Sequence, residues 1–227
     1  MILSQLHAGL RVHRVPYRVG GLLEFGRQLV VVRLPDGGLW IHSPIPWTPE
    51  LRAAVDGIGK VAHVIAPNLH HDECLASFQK EYPAACFHAT PGLAATHPQI
   101  RFDRVLGEAP DPAWAGTLDQ HFIQGMPKLG EFLFLHPASR TLILTDLAFN
   151  LGPEGPLPTR ILMRLNDAWG KFGPSRYCRS LIADPVALRR SLDHVLAWDF
   201  DRILVGHGAN IETGGKAALR AAFAFLG

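Results

Sequence analysis

The stretch that decides the fold is KVAHVIAPNLHHDE, residues 60–73. Its first eight residues are an apolar run that stops at Pro67, and the next six, NLHHDE, carry two imidazoles and two carboxylates. An apolar run this short, closed by a proline, reads as a buried strand. ECLASFQKEY, from residue 73, resumes as a helix. Side chains on a strand-to-helix loop are held by rigid backbone yet reach solvent, which is where ligand and catalytic groups collect. Taken alone, the hexapeptide leaves three readings open: a metal site, a degenerate metal site, or a polar loop in which Asp72 caps the next helix.

Working outward, LLEFGRQLVVVRL (22–34) and LWIHS (39–43) read as strands joined by the turn PDGG, a hairpin pattern. Thr48 caps a helix in PELRAAVDGIG, with proline in its first position and glycines 57 and 59 at its end. Downstream, ACFHAT (85–90), HFIQG (121–125), EFLFLHP (131–137) and TLILTD (141–146) read as strands, and 91–116 as a connection broken by Pro and Gly. ILMRLNDAWGKF (161–172) reads as a helix, as does PVALRRSLDHVLAW (185–198) behind its cap Asp184. DRILVGHG (201–208) is strand then loop, and TGGKAALRAAFAFL closes the chain as a helix. Hairpins followed by alternating strands and helices predict sheet layers covered by helices, an α/β (α+β) architecture. No internal repeat divides the chain, so residues 1–227 are expected to form one domain, with 150–183 as a helical lid insertion.

The composition narrows the function classes. The chain has 227 residues, 48% of them hydrophobic, enough for a sizeable core. A net charge of +2 gives no general argument for nucleic acid or a membrane surface. Three cysteines without a CxxC pair do not make a disulfide framework and point to a reducing cytosol, with the thiols expected as small buried groups. The first residues lack the apolar segment of a signal peptide, and no apolar run approaches the ~20 residues of a membrane span. A cytoplasmic protein acting on a small molecule is the expectation; nothing bears on its oligomeric state.

Two further strand ends carry metal-type groups: Asp146, closing TLILTD, and His207, between glycines in VGHG. With His70 and Asp72, these residues resemble the metallo-β-lactamase superfamily, in a branch with altered ligands. The family pattern HxHxDH is matched here as N-x-H-x-D-E, which keeps His70 and Asp72 and puts Asn68 and Glu73 where histidines stand. Met126 falls where the family's next histidine follows a glycine, Asp146 matches the bridging aspartate, and His207 matches the last histidine. The resemblance spans residue 22 to the end and implies a four-layer αβ/βα sandwich with the site on one sheet edge.

The resemblance implies metal ligands His70, Asp72, Glu73, Asp146 and His207, with Asp72 or His70 as the catalytic base. An amide at 68 and a thioether at 126 are poor substitutes for imidazole. The expectation is therefore a metal-dependent hydrolase with one divalent ion, and the oxygen-rich set moves preference from Zn²⁺ toward Mn²⁺ or Fe²⁺. The alternative is a metal-free, inactive member serving as a binding or scaffold protein. There a protonated histidine or the ammonium of Lys128 would offset the converging carboxylates. Arg160, Arg164, Lys171, Arg176 and Arg179 in 150–183 read either as a solvated face or as a lid that takes an anionic substrate.

Overall fold

The computed structural model describes residues 2–152 and 155–227. Strands β1 (Ser4–His7), β2 (Leu10–Val15), β5 (Arg27–Arg33), β6 (Leu39–His42), β7 (Val61–Ala66), β8 (Cys86–Ala89) and β9 (Arg104–Val105) form one sheet in the order β1-β2-β5-β6-β7-β8-β9. Strands β3 (Arg18–Val19) and β4 (Leu23–Glu24) make a separate small hairpin. The second sheet runs β10 (Asp119–Phe122), β11 (Phe132–His136), β12 (Thr141–Ile143) and β13 (Arg202–Leu204). Pairing turns parallel at β6·β7, β7·β8, β8·β9 and β12·β13, where helices supply the crossovers.

Each sheet is buried on both faces, and this explains why its strands read as unbroken apolar runs. In β5, Leu29 and Val31 join an outer core with Leu51 and Val55 of α1 (Pro49–Asp56) and with Leu75 and Phe78 of α2 (Leu75–Glu81). Val30 and Val32, on the opposite face, pack with Trp40, Phe132, Phe134, Ile143 and Leu204 between the two sheets. The second sheet repeats the pattern: Leu133 and Leu142 face outward. After α3 (Leu93–Thr96), α4 (Leu157–Leu165) and α5 (Arg176–Ser180), they meet α6 (Pro185–Ala197) through Leu188 and Leu192 and α7 (Gly215–Ala222) through Leu219. The layers are helix, sheet, sheet, helix, the αβ/βα sandwich that the family resemblance implied.

Several boundaries differ from the sequence reading. The run 22–34 is broken at Gly26, whose φ of +66° turns the chain between β4 and β5. The helix expected at 161–172 begins at Leu157 and stops at Leu165, ahead of Asp167 with its left-handed φ of +56°. The connection 91–116 contains α3 and β9, and Leu93 and Trp114 are fully buried in it. Strands β1 and β2 precede everything assigned from sequence.

Candidate metal centre

Three chain segments meet beyond the ends of β7, β12 and β13: the loop 68–73, Asp146 and His207. The side chains that converge are His71, Asp146 and His207, each buried, with ligand atoms within 4.8 Å of one another. His71 Nε2 stands 3.3 Å from Asp146 Oδ2, and His207 Nε2 stands 3.2 Å from Asp146 Oδ1.

Both rings are fixed from behind. His207 Nδ1 lies 2.6 Å from the Gly26 carbonyl. A carbonyl only accepts, so Nδ1 carries a proton and donates. Nε2 of a neutral ring then points a lone pair at a carboxylate oxygen, an arrangement that requires a cation or a second proton between them. His71 Nδ1 lies 2.5 Å from the Ser43 hydroxyl, and its Nε2 is buried with no hydrogen-bond partner. Ser43 holds that contact from a left-handed φ of +57°, a strained conformation of the kind found at functional sites. Gly206 and Gly208 let the His207 loop close on its neighbours. A Cβ at 206 would lie 3.1 Å from the Thr145 backbone, and one at 208 would collide with the Asn150 carbonyl.

The loop is aimed by Asn68. Its Oδ1 accepts from the backbone N–H groups of His70 (2.9 Å) and His71 (2.8 Å). This tight turn leaves His70 exposed and His71 buried. The amide Nδ2 faces Asp146 Oδ2 at 2.8 Å, Thr145 Oγ1 at 2.9 Å and Glu131 at 3.1 Å. An amide with acceptors on one side and donors on the other has only one orientation that satisfies both.

Glu131 is the residue that sequence reasoning missed. It is fully buried and accepts from the backbone N–H groups of Thr145 (2.7 Å), Asp146 (2.8 Å) and Leu147 (3.1 Å). It thereby builds the loop that presents Asp146. Burial and the Asp146 charge push its carboxyl up to about 7, against those donors. Burial alone would raise Asp146 as well. The imidazoles beside it, His71 foremost, outweigh that and hold Asp146 well below the ordinary carboxylate range. His71 is lowered by burial, with Asp146 opposing.

The structure does not bring the other sequence-derived candidates to this cluster. His70 is exposed. Asp72 pairs with His97 at 2.6 Å. Glu73 accepts from Arg27 at 2.8 Å and from the Tyr17 hydroxyl at 2.7 Å. Their place is taken by His71, one residue along from the expected His70. Met126 is buried in the outer core of the second sheet, and Lys128 is exposed, so neither enters the position an extra histidine would fill. Two imidazoles and one carboxylate, with their rear nitrogens held by oxygen atoms, fit a catalytic divalent ion: three protein ligands leave an open position.

That open side faces a cavity of about 430 Å³. Asp146 and His207 form its floor, and Phe25, Phe149, Met163 and Tyr177 are among its walls. Among the described residues, no lysine or arginine lines it. Four of the five basic residues of 150–183 are engaged elsewhere: Lys171 and Arg179 both reach Asp167, Arg176 donates to the Leu165 carbonyl, and Arg160 lies over the Trp169 ring. The lid reading of an anionic substrate therefore loses its charge argument.

The fold is that of the metallo-β-lactamases of known structure. The DIM-1 metallo-β-lactamase, in a structure described as exposed to ceftazidime, matches with a TM-score of 0.68 at 14% identity, over 99% of this chain and 97% of its own. A metallo-β-lactamase from Pontibacter korlensis matches with a TM-score of 0.67 at 12% identity, over 99% and 97%. One from Erythrobacter litoralis matches with a TM-score of 0.64 at 14% identity, over 99% and 91%. Identities this low establish the fold alone. No curated protein matches the chain in sequence. A family profile does match it, over residues 26–165, and the chain belongs to that family, described as a domain of unknown function, DUF4336. No described helix is long and apolar enough to cross a membrane.

Proposed function

We propose that this single-domain protein is a metal-dependent hydrolase that holds one divalent ion on His71, Asp146 and His207. The observation that carries this reading is His207. Its Nδ1 proton is committed to the Gly26 carbonyl, while its Nε2 stands 3.2 Å from a carboxylate oxygen in a buried setting. Such a ligand set belongs to the class that takes Zn²⁺, Fe²⁺ or Mn²⁺. A bound ion would supply an activated water near neutral pH and polarise a carbonyl or phosphoryl oxygen.

The chain's own groups do the rest. Ser43 and Gly26 orient the two imidazoles, Asn68 donates to the Asp146 carboxylate, and Glu131 holds the backbone loop that presents it. The apolar walls favour a substrate with a neutral acyl or aryl group and exclude bulk water from the reacting bond. Tyr17, at the rim, keeps its phenol proton because burial and its bond to Glu73 push the group up to about 12. The lid reading of 150–183 is supported by Leu162, Met163, Asn166, Ser175 and Tyr177, which form one wall of the cavity.

The test pairs metal content with hydrolysis of a panel of neutral aryl esters and lactones. Asp146→Asn is expected to carry one ion per chain fewer than the unaltered protein and to lose roughly 100-fold or more in rate. His70→Ala keeps both. Equal metal content in Asp146→Asn and the unaltered chain would mean that the site is closed by an imidazolium, as in a metal-free binding protein.

A further inference from the structure

A second cluster lies on the same strand, further from the loop. His63 of β7 pairs in register with Cys86 of β8, and His88 follows two residues along on the same face. Their ligand atoms lie within 4.8 Å of one another, and His63 Nδ1 is 3.0 Å from His88 Nε2. Trp114 closes the cluster, its ring edge-on to both imidazoles with centroids 5.4 Å and 4.9 Å away. The indole is itself fixed by a 3.0 Å hydrogen bond to Gln120. A cavity of about 430 Å³ opens beside His88, bounded by Arg104, Asp111 and Trp114.

We infer that His63, Cys86 and His88 form a binding site for a borderline-soft divalent ion, Zn²⁺, distinct from the site at His71. Three arguments converge on it. The donors are one thiol and two imidazoles, a set that suits Zn²⁺ and disfavours Mg²⁺ and Ca²⁺. The spacing fits: bonds of ~2.0 Å to nitrogen and ~2.3 Å to sulfur hold tetrahedral ligand atoms roughly 3.3–3.6 Å apart, so the two rings need to part by only about 0.3 Å. The frame is rigid, since adjacent strand residues set the donors rather than a loop.

The two sites do not share ligands. His63 precedes Asn68 by five residues of extended chain, a separation of roughly 16 Å. Bound there, the ion ties β7 to β8 near the sheet edge, where only the two-residue β9 lies beyond. The ion takes Cys86 as thiolate. Three protein ligands leave its fourth position toward the cavity.

Cobalt substitution tests this directly, because a thiolate–Co²⁺ bond gives a charge-transfer absorption in the near ultraviolet that imidazole and carboxylate ligands do not. Full-length protein, stripped with a chelator and titrated with Co²⁺, is expected to develop that band to saturation by two equivalents, and Asp146→Asn, with the other site emptied, by one. The band persists in Asp146→Asn, which empties the other site. It also persists in Cys178→Ser, which removes the thiol donating to the Asp146 carbonyl. It is lost in Cys86→Ser and in His88→Gln, two variants that guard against the failure of either one to fold. No band in the unaltered protein, a band that survives Cys86→Ser, or one that disappears with Cys178→Ser would overturn the assignment.

Discussion

The two sides of the candidate metal centre are built on different principles. On one side, Asp146 and His207 follow strands β12 and β13, and their positions are set by backbone. Three consecutive N–H groups of the Asp146 loop converge on Glu131, and two glycines let the His207 loop pack against its neighbours. On the other side, the turn of the loop 68–73 is set by a side chain, Asn68, which collects two N–H groups and faces two carboxylates, while Ser43, His97 and Arg27 hold the side chains of His71, Asp72 and Glu73. The contrast teaches that a candidate ligand at a strand end can be read from its place in the chain. A candidate on a loop depends on the turn that aims it, and a shift of one residue puts His71, not His70, beside Asp146.

Four substitutions sharpen that comparison. The largest effect is expected on the strand side. Glu131→Ala strands three backbone N–H groups in the interior, and breaking such a buried charged network costs about 3–5 kcal/mol. Urea unfolding should show a midpoint shift of that size, and a shift near zero would mean that the Asp146 loop stands without it.

On the loop side, Asn68→Ala is expected to cost about 1–3 kcal/mol, because the turn keeps its backbone but loses its organiser. The same variant should weaken metal binding measured by calorimetry, since His71 is no longer aimed inward. Intact binding would show that the loop is stiff without Asn68.

A third test probes the ground beneath the loop. His42, next to the Ser43 that holds His71, is buried with neither ring nitrogen partnered, and burial lowers it to about 3. Its folded value lies below its unfolded value of 6.5, so the unfolded chain takes up the proton first. The stability it contributes is complete above pH 6.5 and is lost as pH falls toward 3, by at most about 1.4 kcal/mol per unit. Melting temperatures from pH 7 to pH 4 should fall, and His42→Leu should flatten that slope. An unchanged slope would assign the acid sensitivity to other groups.

The smallest effects belong to the outward half of the loop. His70→Ala, on an exposed side chain, should change stability by no more than about 0.5 kcal/mol and leave metal binding intact. A clear loss of metal in this variant would reverse the assignment of His71.

These expectations also mark how far the sequence could be read. The layered fold was legible because LVVVR and FLFLH are apolar on both faces, and only a sheet covered on both sides accommodates that. That Asp146 and His207 would come together was legible because each was read at the end of a strand. His71 was not, since a loop has no periodicity to choose between adjacent histidines. Glu131 was hidden as the first residue of an apolar strand, where a single acid reads as an exposed end. Asp72 and Glu73 looked like ligands by residue type, but their charges are matched by His97 and Arg27, partners 25 and 46 positions away in the sequence. The cluster at His63 was invisible for a related reason: strand pairing, not spacing along the chain, brings Cys86 and His88 to it.

The central claim is that His71, Asp146 and His207 share one ion. Anomalous diffraction from crystals grown with Zn²⁺ or Mn²⁺ tests it most directly. The account predicts a peak about 2.0–2.2 Å from Nε2 of His71, Nε2 of His207 and a carboxylate oxygen of Asp146. A peak seated instead on His70, Asp72 and Glu73, or none between Asp146 and His207 under saturating metal, would contradict it.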